Sequence, residues 1–92
     1  MPRYLVERYF SEGLEVPPGE QGRDLLASIV ACNSDRQVTW VHSYVSSDGH
    51  TTYCVYDAPS PEAIRRTARS NGLPVGRITE VSVLDPYAFH VT

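Results

Sequence analysis

The chain has 92 residues, 41% of them hydrophobic and 21% charged, a globular composition that excludes a disordered chain and leaves room for a single domain over residues 1–92. Eight Arg, no Lys and 11 acidic residues give a net charge of −3, which argues against a nucleic-acid partner, because phosphate neutralisation supplies most of that affinity. No apolar run approaches the roughly 20 residues of a membrane span, so no membrane partner is expected.

Residues 3–10 alternate as a strand, with Tyr4, Val6, Arg8 and Phe10 on one face and Leu5, Glu7 and Tyr9 on the other. Met1-Pro2 leads straight into it without the apolar stretch of a secretory signal, which makes a cytoplasmic location the expectation. Gly13 to Gly22, with Pro17-Pro18-Gly19, breaks the pattern as a loop. From about Arg23, Leu25, Leu26, Ile29, Val30 and Asn33 form a 3.6-residue stripe, which predicts a helix to about Ser34.

Residues 38–46 and 50–57 are two β-rich runs around Asp48-Gly49, the composition of a tight primed hairpin turn. A two-residue turn sets Tyr44 opposite Tyr53 and His42 opposite Val55. Strict alternation then puts Trp40, His42, Tyr44, Tyr53, Val55 and Asp57 on one face. Val41, Ser43, Val45, Thr52, Cys54 and Tyr56 fall on the other.

A second helix follows: Ser60 can cap it, Pro61 suits its first position, and Gly72 with Pro74 stops it. Ile64, Ala68 and Leu73 supply its buried stripe. Arg65, Arg66 and Arg69 with Glu62 read as an exposed, ion-paired face rather than a phosphate site. Residues 77–85 predict a fourth strand, and the alternating tail Tyr87, Phe89, Val91 a short further edge strand.

The order strand, helix, strand, strand, helix, strand is that of the α+β ferredoxin-like fold, βαββαβ, with a four-stranded antiparallel sheet and both helices on one face. Its other face stays open. Leu5, Glu7, Tyr9, Trp40, His42, Tyr44, Tyr53 and Val55 are expected there, joined by Ile78, Glu80, Ser82 and Leu84 if Val81 and Val83 face the helices. An aromatic surface of this size calls for a cover, and a homodimer through the open sheet face is the natural one. A domain this small buries only about 60–65% of its unfolded surface, so such pairing would also widen a thin stability margin.

No strong catalytic motif is present: there is no phosphate-cradling Gly loop, no H-E-x-x-H and no nucleophile elbow. Cys32 and Cys54 lack C-x-x-C spacing and read as small apolar side chains. What remains is a scatter of ligand-type residues. His42 lies in a strand facing the aromatic surface, either as a packed histidine or as a metal ligand or general base with Glu7. With a strand between their backbones, that pair is about 10 Å apart. Glu7 and Glu80 are expected to be neighbours across strands one and four and to need an arginine, a shared proton or a cation between them. His50 beside Asp48 and His90 near Asp85 are surface candidates. Imidazole and carboxylate suit nickel, zinc or copper better than magnesium.

The stretch Val38-Thr-Trp-Val-His-Ser-Tyr-Val-Ser-Ser-Asp-Gly, then Thr52-Tyr-Cys-Val-Tyr-Asp-Ala-Pro-Ser-Pro-Glu-Ala-Ile-Arg, Gly72-Leu-Pro and Ile78-Thr-Glu-Val, resembles the nickel-binding-protein-like family of small bacterial proteins. The resemblance runs from residue 3 to about 87. It implies a ferredoxin-like fold, a homodimer, and nickel held by side chains near the dimer surface. His42, Glu7 and Glu80 lie within the matching segments, whereas His50 and His90 fall on no fixed ligand pattern.

Two functions are therefore expected to compete. The first is a non-catalytic, dimeric protein binding nickel or another divalent transition metal through His42, Glu7, Glu80, His50 or His90. The second is a small-molecule-binding protein or enzyme that uses the open sheet as a pocket, with His42 and Glu7 as acid and base and Tyr44 and Tyr53 lining the ligand. A ligand-free protein–protein adaptor remains if neither holds.

Overall fold

The computed structural model describes residues 1–14, 19–35, 37–87 and 89–91, with residues 34, 35 and 89–91 as backbone only. In chain order the elements are β1 (Arg3–Tyr9), α1 (Glu20–Asp35), β2 (Thr39–Val45), β3 (Thr51–Asp57), α2 (Pro61–Asn71), β4 (Ile78–Val81), β5 (Val83–Asp85) and β6 (Phe89–Val91). Strands β1 to β4 form an antiparallel sheet in the order β2-β3-β1-β4. Two interleaved strand–helix–strand crossovers produce this order, so the fold is the expected ferredoxin-like one. None of the described helices is long and apolar enough to cross a membrane.

The central pair sets the two faces. In β1, Tyr4, Val6 and Arg8 are buried, while Leu5 and Glu7 are half-buried and Tyr9 is exposed on the opposite side. Their partners Tyr56, Cys54 and Thr52 on β3 are buried with them. Helix α2 covers this face, setting Ala63 and Ile64 against Tyr4, Val6, Val38, Cys54 and Tyr56. Full burial of Ile64 alone contributes about 1.5–3 kcal/mol.

The ends of α2 follow its sequence. The Ser60 hydroxyl accepts a hydrogen bond from the Ala63 amide at 3.3 Å. Gly72, at φ 68°, closes the C-terminus, with the Leu73 amide donating to the Ala68 carbonyl at 2.9 Å. Arg65, Arg66 and Arg69 are exposed, but Glu62 reaches none of them as an ion pair among the described residues.

Helix α1 begins at Glu20, earlier than the stripe alone indicates, and sits more loosely than α2. Asn33 is buried and Leu26 and Ile29 are half-buried, but Leu25 and Val30 of the same stripe remain 42% and 47% exposed.

Three details depart from strict alternation. The hairpin closes between Ser46 and Thr51 rather than in a two-residue primed turn: the Ser46 amide donates to the Thr51 carbonyl, the Gly49 amide donates to the Ser46 carbonyl, and only Gly49 takes a positive φ. The register survives, with Tyr44 opposite Tyr53 and His42 opposite Val55. A bulge between Trp40 and His42 sets Trp40 opposite Tyr56, so Trp40 lies on the helix face instead of the open one. Finally, the fourth strand ends at Val81. Residues 83–85 leave the sheet and pair with 89–91 as a separate two-stranded hairpin.

At the entry to β4 the chain passes very close to β1. The Gly76 amide donates to the Glu7 carbonyl at 2.9 Å, and a Cβ at Gly76 would stand 2.8 Å from that same oxygen. Gly76→Ala is therefore expected to lower stability by about 1–3 kcal/mol, as overpacking does. Urea unfolding followed by circular dichroism would read this as a lower midpoint, and an unchanged midpoint would contradict the close approach.

Candidate functional site

The open face is a lattice of three strands. His42 stands opposite Val55, and Val55 opposite Leu5; Tyr44 stands opposite Tyr53, and Tyr53 opposite Glu7. Tyr9, Tyr44 and Tyr53 are 61%, 63% and 38% exposed, which leaves a band of aromatic surface in water. His42 is exposed and meets Tyr44 edge-on, with ring centroids 5.1 Å apart and planes at 85°. Neither its ring nor the Glu7 carboxylate has a hydrogen-bond or ion-pair partner among the described residues.

At the end of this face nearest the β1 N-terminus, Arg3 grips Asp57 with two hydrogen bonds, Nε to Oδ1 at 2.8 Å and Nη2 to Oδ2 at 3.1 Å. These bonds and the guanidinium charge hold the Asp57 carboxyl below its usual range. At the hairpin end, Asp48 is occupied locally. Its carboxylate accepts from the Ser46 hydroxyl at 2.6 Å and the His50 amide at 2.9 Å, and those bonds lower its pKa.

His50 is oriented by a different contact: its Nδ1 lies 2.7 Å from the Phe10 carbonyl oxygen. A carbonyl only accepts, so Nδ1 donates; in the neutral ring this leaves the lone pair on Nε2, the tautomer that pre-orients ligating histidines.

The remaining candidates separate. Glu80 pairs with Tyr4, and Ile78 with Val6, so Glu80 lies on the helix side of the sheet and is not the neighbour of Glu7. Burial first, and then the charges of Glu80 and Glu62, push the Tyr4 hydroxyl above its usual pKa. His90 pairs through its backbone with Leu84 in the β5–β6 hairpin, and its side chain lies outside the described residues. Among the described residues, no three His, Cys, Asp or Glu side chains come together as a metal-binding group. Cys32 and Cys54 are free thiols.

The helix face holds a feature that alternation hinted at and ligand-type reasoning passed over. Between α1 and the sheet lies a half-open cleft of about 460 Å³, with Leu26, Ile29, Trp40 and Tyr56 in its walls and Arg8 within it. The signal was the charged Arg8 in register with the core residues Tyr4 and Val6.

The family model for nickel responsive proteins described as SCO4226-like matches residues 4–81. The chain belongs to that family. No curated protein matches it. The crystal structure of SCO4226 from Streptomyces coelicolor A3(2) is similar in fold, with a TM-score of 0.69 and 20% identity over 90% of this chain and 99% of that one. The SCO4226-like match spans β1 through β4 with both helices, and so takes in Glu7, His42, His50 and Glu80. The β5–β6 hairpin, with His90, falls beyond it.

The Arg3–Asp57 pair yields a pH prediction. Because the folded-state pKa of Asp57 is depressed, its stabilisation is complete above the unfolded value of about 3.9 and is lost as pH falls through the lower folded value. Both partners are partly exposed, so the pair is worth less than about 1 kcal/mol. Asp57→Asn should therefore lose less melting temperature than the parent between pH 5 and pH 2.5 in differential scanning calorimetry, the Asp48 contribution being common to both.

Proposed function

We propose that this chain is a non-catalytic binding protein for a divalent transition ion of the nickel type, acting as a homodimer paired through the open sheet face. The observation that carries the reading is that His42 and Glu7 stand on that face with no hydrogen-bond or ion-pair partner among the described residues, set within an exposed aromatic band. One chain's described residues do not complete a coordination shell. A two-fold pairing repeats every residue of the contacting patch, so it offers each ion ligands from both copies. Imidazole with carboxylate is a donor set suited to nickel. The family's description as nickel responsive supports the same class of ion.

His50, with Nδ1 tied to Phe10 and Nε2 free, is the second position from which an ion could be held. Glu80 is left out of the site by its place on the helix side. The competing reading, an acid–base pocket on the open sheet, is disfavoured by the position of the 460 Å³ cleft, whose lining includes neither His42 nor Glu7.

Calorimetric titration of tag-free protein with nickel is expected to show saturable binding below about 100 µM, weakened at least tenfold in His42→Ala. Full binding in His42→Ala, lost instead in His50→Ala, would overturn the open-face site. No saturable binding in the parent would overturn the metal function itself.

A further inference from the structure

The cleft under α1 contains a charge that no acidic side chain among the described residues balances. Arg8 is 4% exposed. Its Nη1 donates to the Pro74 carbonyl at 2.6 Å and its Nη2 to the Tyr56 hydroxyl at 3.1 Å, and the guanidinium carbon lies 5.8 Å from the centre of the Tyr56 ring. All of these partners are neutral. The Arg3–Asp57 pair is the only ion pair among the described residues, so Arg8 faces no carboxylate of its own chain there. Guanidinium groups remain cationic in proteins, and a buried cation without an anion is costly.

A second polar group nearby is also unsatisfied. Asn33 is 1% exposed, and its Nδ2 has no hydrogen-bond acceptor among the described residues; its Oδ1 accepts from Asn71 Nδ2 at 3.3 Å. Arg8, Tyr56 and Asn71 line the cleft, and with Asn33 they also line a small recess beside it. The inner end of the cleft is thus rich in donors and short of acceptors, and it carries one positive charge.

The walls are of the opposite character. Leu25, Leu26 and Ile29 of α1 face Trp40 and Cys54 across the cavity, and Leu25 stays 42% exposed at its margin. The volume of about 460 Å³ is within the range of small-molecule pockets, roughly 300–1,000 Å³. At about 30 Å³ per heavy atom, as for liquid water, it has room for roughly fifteen.

We propose that this cleft binds a small amphipathic monocarboxylate, its acid group against Arg8 and its apolar tail between α1 and the sheet. A single guanidinium with neutral donors around it matches one negative charge, and it repels a cation. A carboxylate also supplies the acceptor oxygens that this end of the cleft lacks. The site is separate from the open face: the sheet lies between Arg8 and His42, so loss of nickel binding and loss of this ligand are independent results.

Trp40, the single tryptophan of the chain, lines the cleft and reports occupancy directly. Titration of the full chain with octanoate is expected to shift its emission saturably, with octan-1-ol binding at least tenfold more weakly. Arg8→Met should weaken octanoate at least tenfold and leave octan-1-ol within about threefold, the loss being confined to the charged head. Ile29→Trp, which fills the cleft without touching Arg8, should abolish the response to both when read by heteronuclear NMR of the sheet amides. Equal affinity for acid and alcohol, undiminished octanoate binding in Arg8→Met, or no saturable response to octanoate would each overturn the proposal.

Discussion

The antiparallel register of β1 against β3 is the constraint from which the other features follow. With Tyr4 opposite Tyr56, Val6 opposite Cys54 and Glu7 opposite Tyr53, the two central strands divide their side chains between two unlike surfaces. A slip of β1 by one residue would carry Leu5, Glu7 and Tyr9 into the core and expel Tyr4, Val6 and Arg8 from it, which fixes the register strongly. One surface is covered by α2 and partly by α1. The other is covered by no helix among the described residues.

Each surface has its own unsettled balance. On the helix side, α2 packs Ala63 and Ile64 into the core against the sheet, whereas α1 stands off and leaves the cleft around Arg8. On the open side, tyrosines and unpartnered ligands face outward. The two proposals, a divalent ion with a second copy on the open face and a carboxylate beneath α1, answer these two imbalances separately. Each follows from what its surface lacks: a cover and further ligands in one case, an anion in the other.

Much of this was legible in the sequence. The Arg3–Phe10 alternation placed Tyr4, Val6 and Arg8 on a single face, Ser60-Pro61 and Gly72 bounded α2, and the strand and helix order named the fold. What escaped reading has physical causes. The bulge before His42 turns Trp40 inward without any glycine to mark it. In β4, Ile78 and Val81 are apolar on opposite faces, so composition could not fix its parity, and Glu80 was assigned to the wrong side. Asp48-Gly49 indicated a turn but not its length, because Gly49 meets the need for a positive φ in a longer loop as well. Ligand residue types were visible in His42, Glu7 and His50, but their convergence was not, since a site shared between copies leaves no spacing pattern in one chain. The cleft was hidden for another reason: amphipathic periodicity shows which side of α1 faces inward, not how closely it sits.

Self-pairing of the open face is tested by sedimentation equilibrium of the parent chain and Tyr44→Glu at micromolar to sub-millimolar concentration. Tyr44 is 63% exposed in the single chain, so the substitution should leave the isolated fold intact while placing a charge in the middle of the proposed interface. The prediction is a parent mass of twice 10.3 kDa and a variant that remains a folded monomer. A parent that stays monomeric throughout, or a variant that dimerises as tightly as the parent, would contradict it.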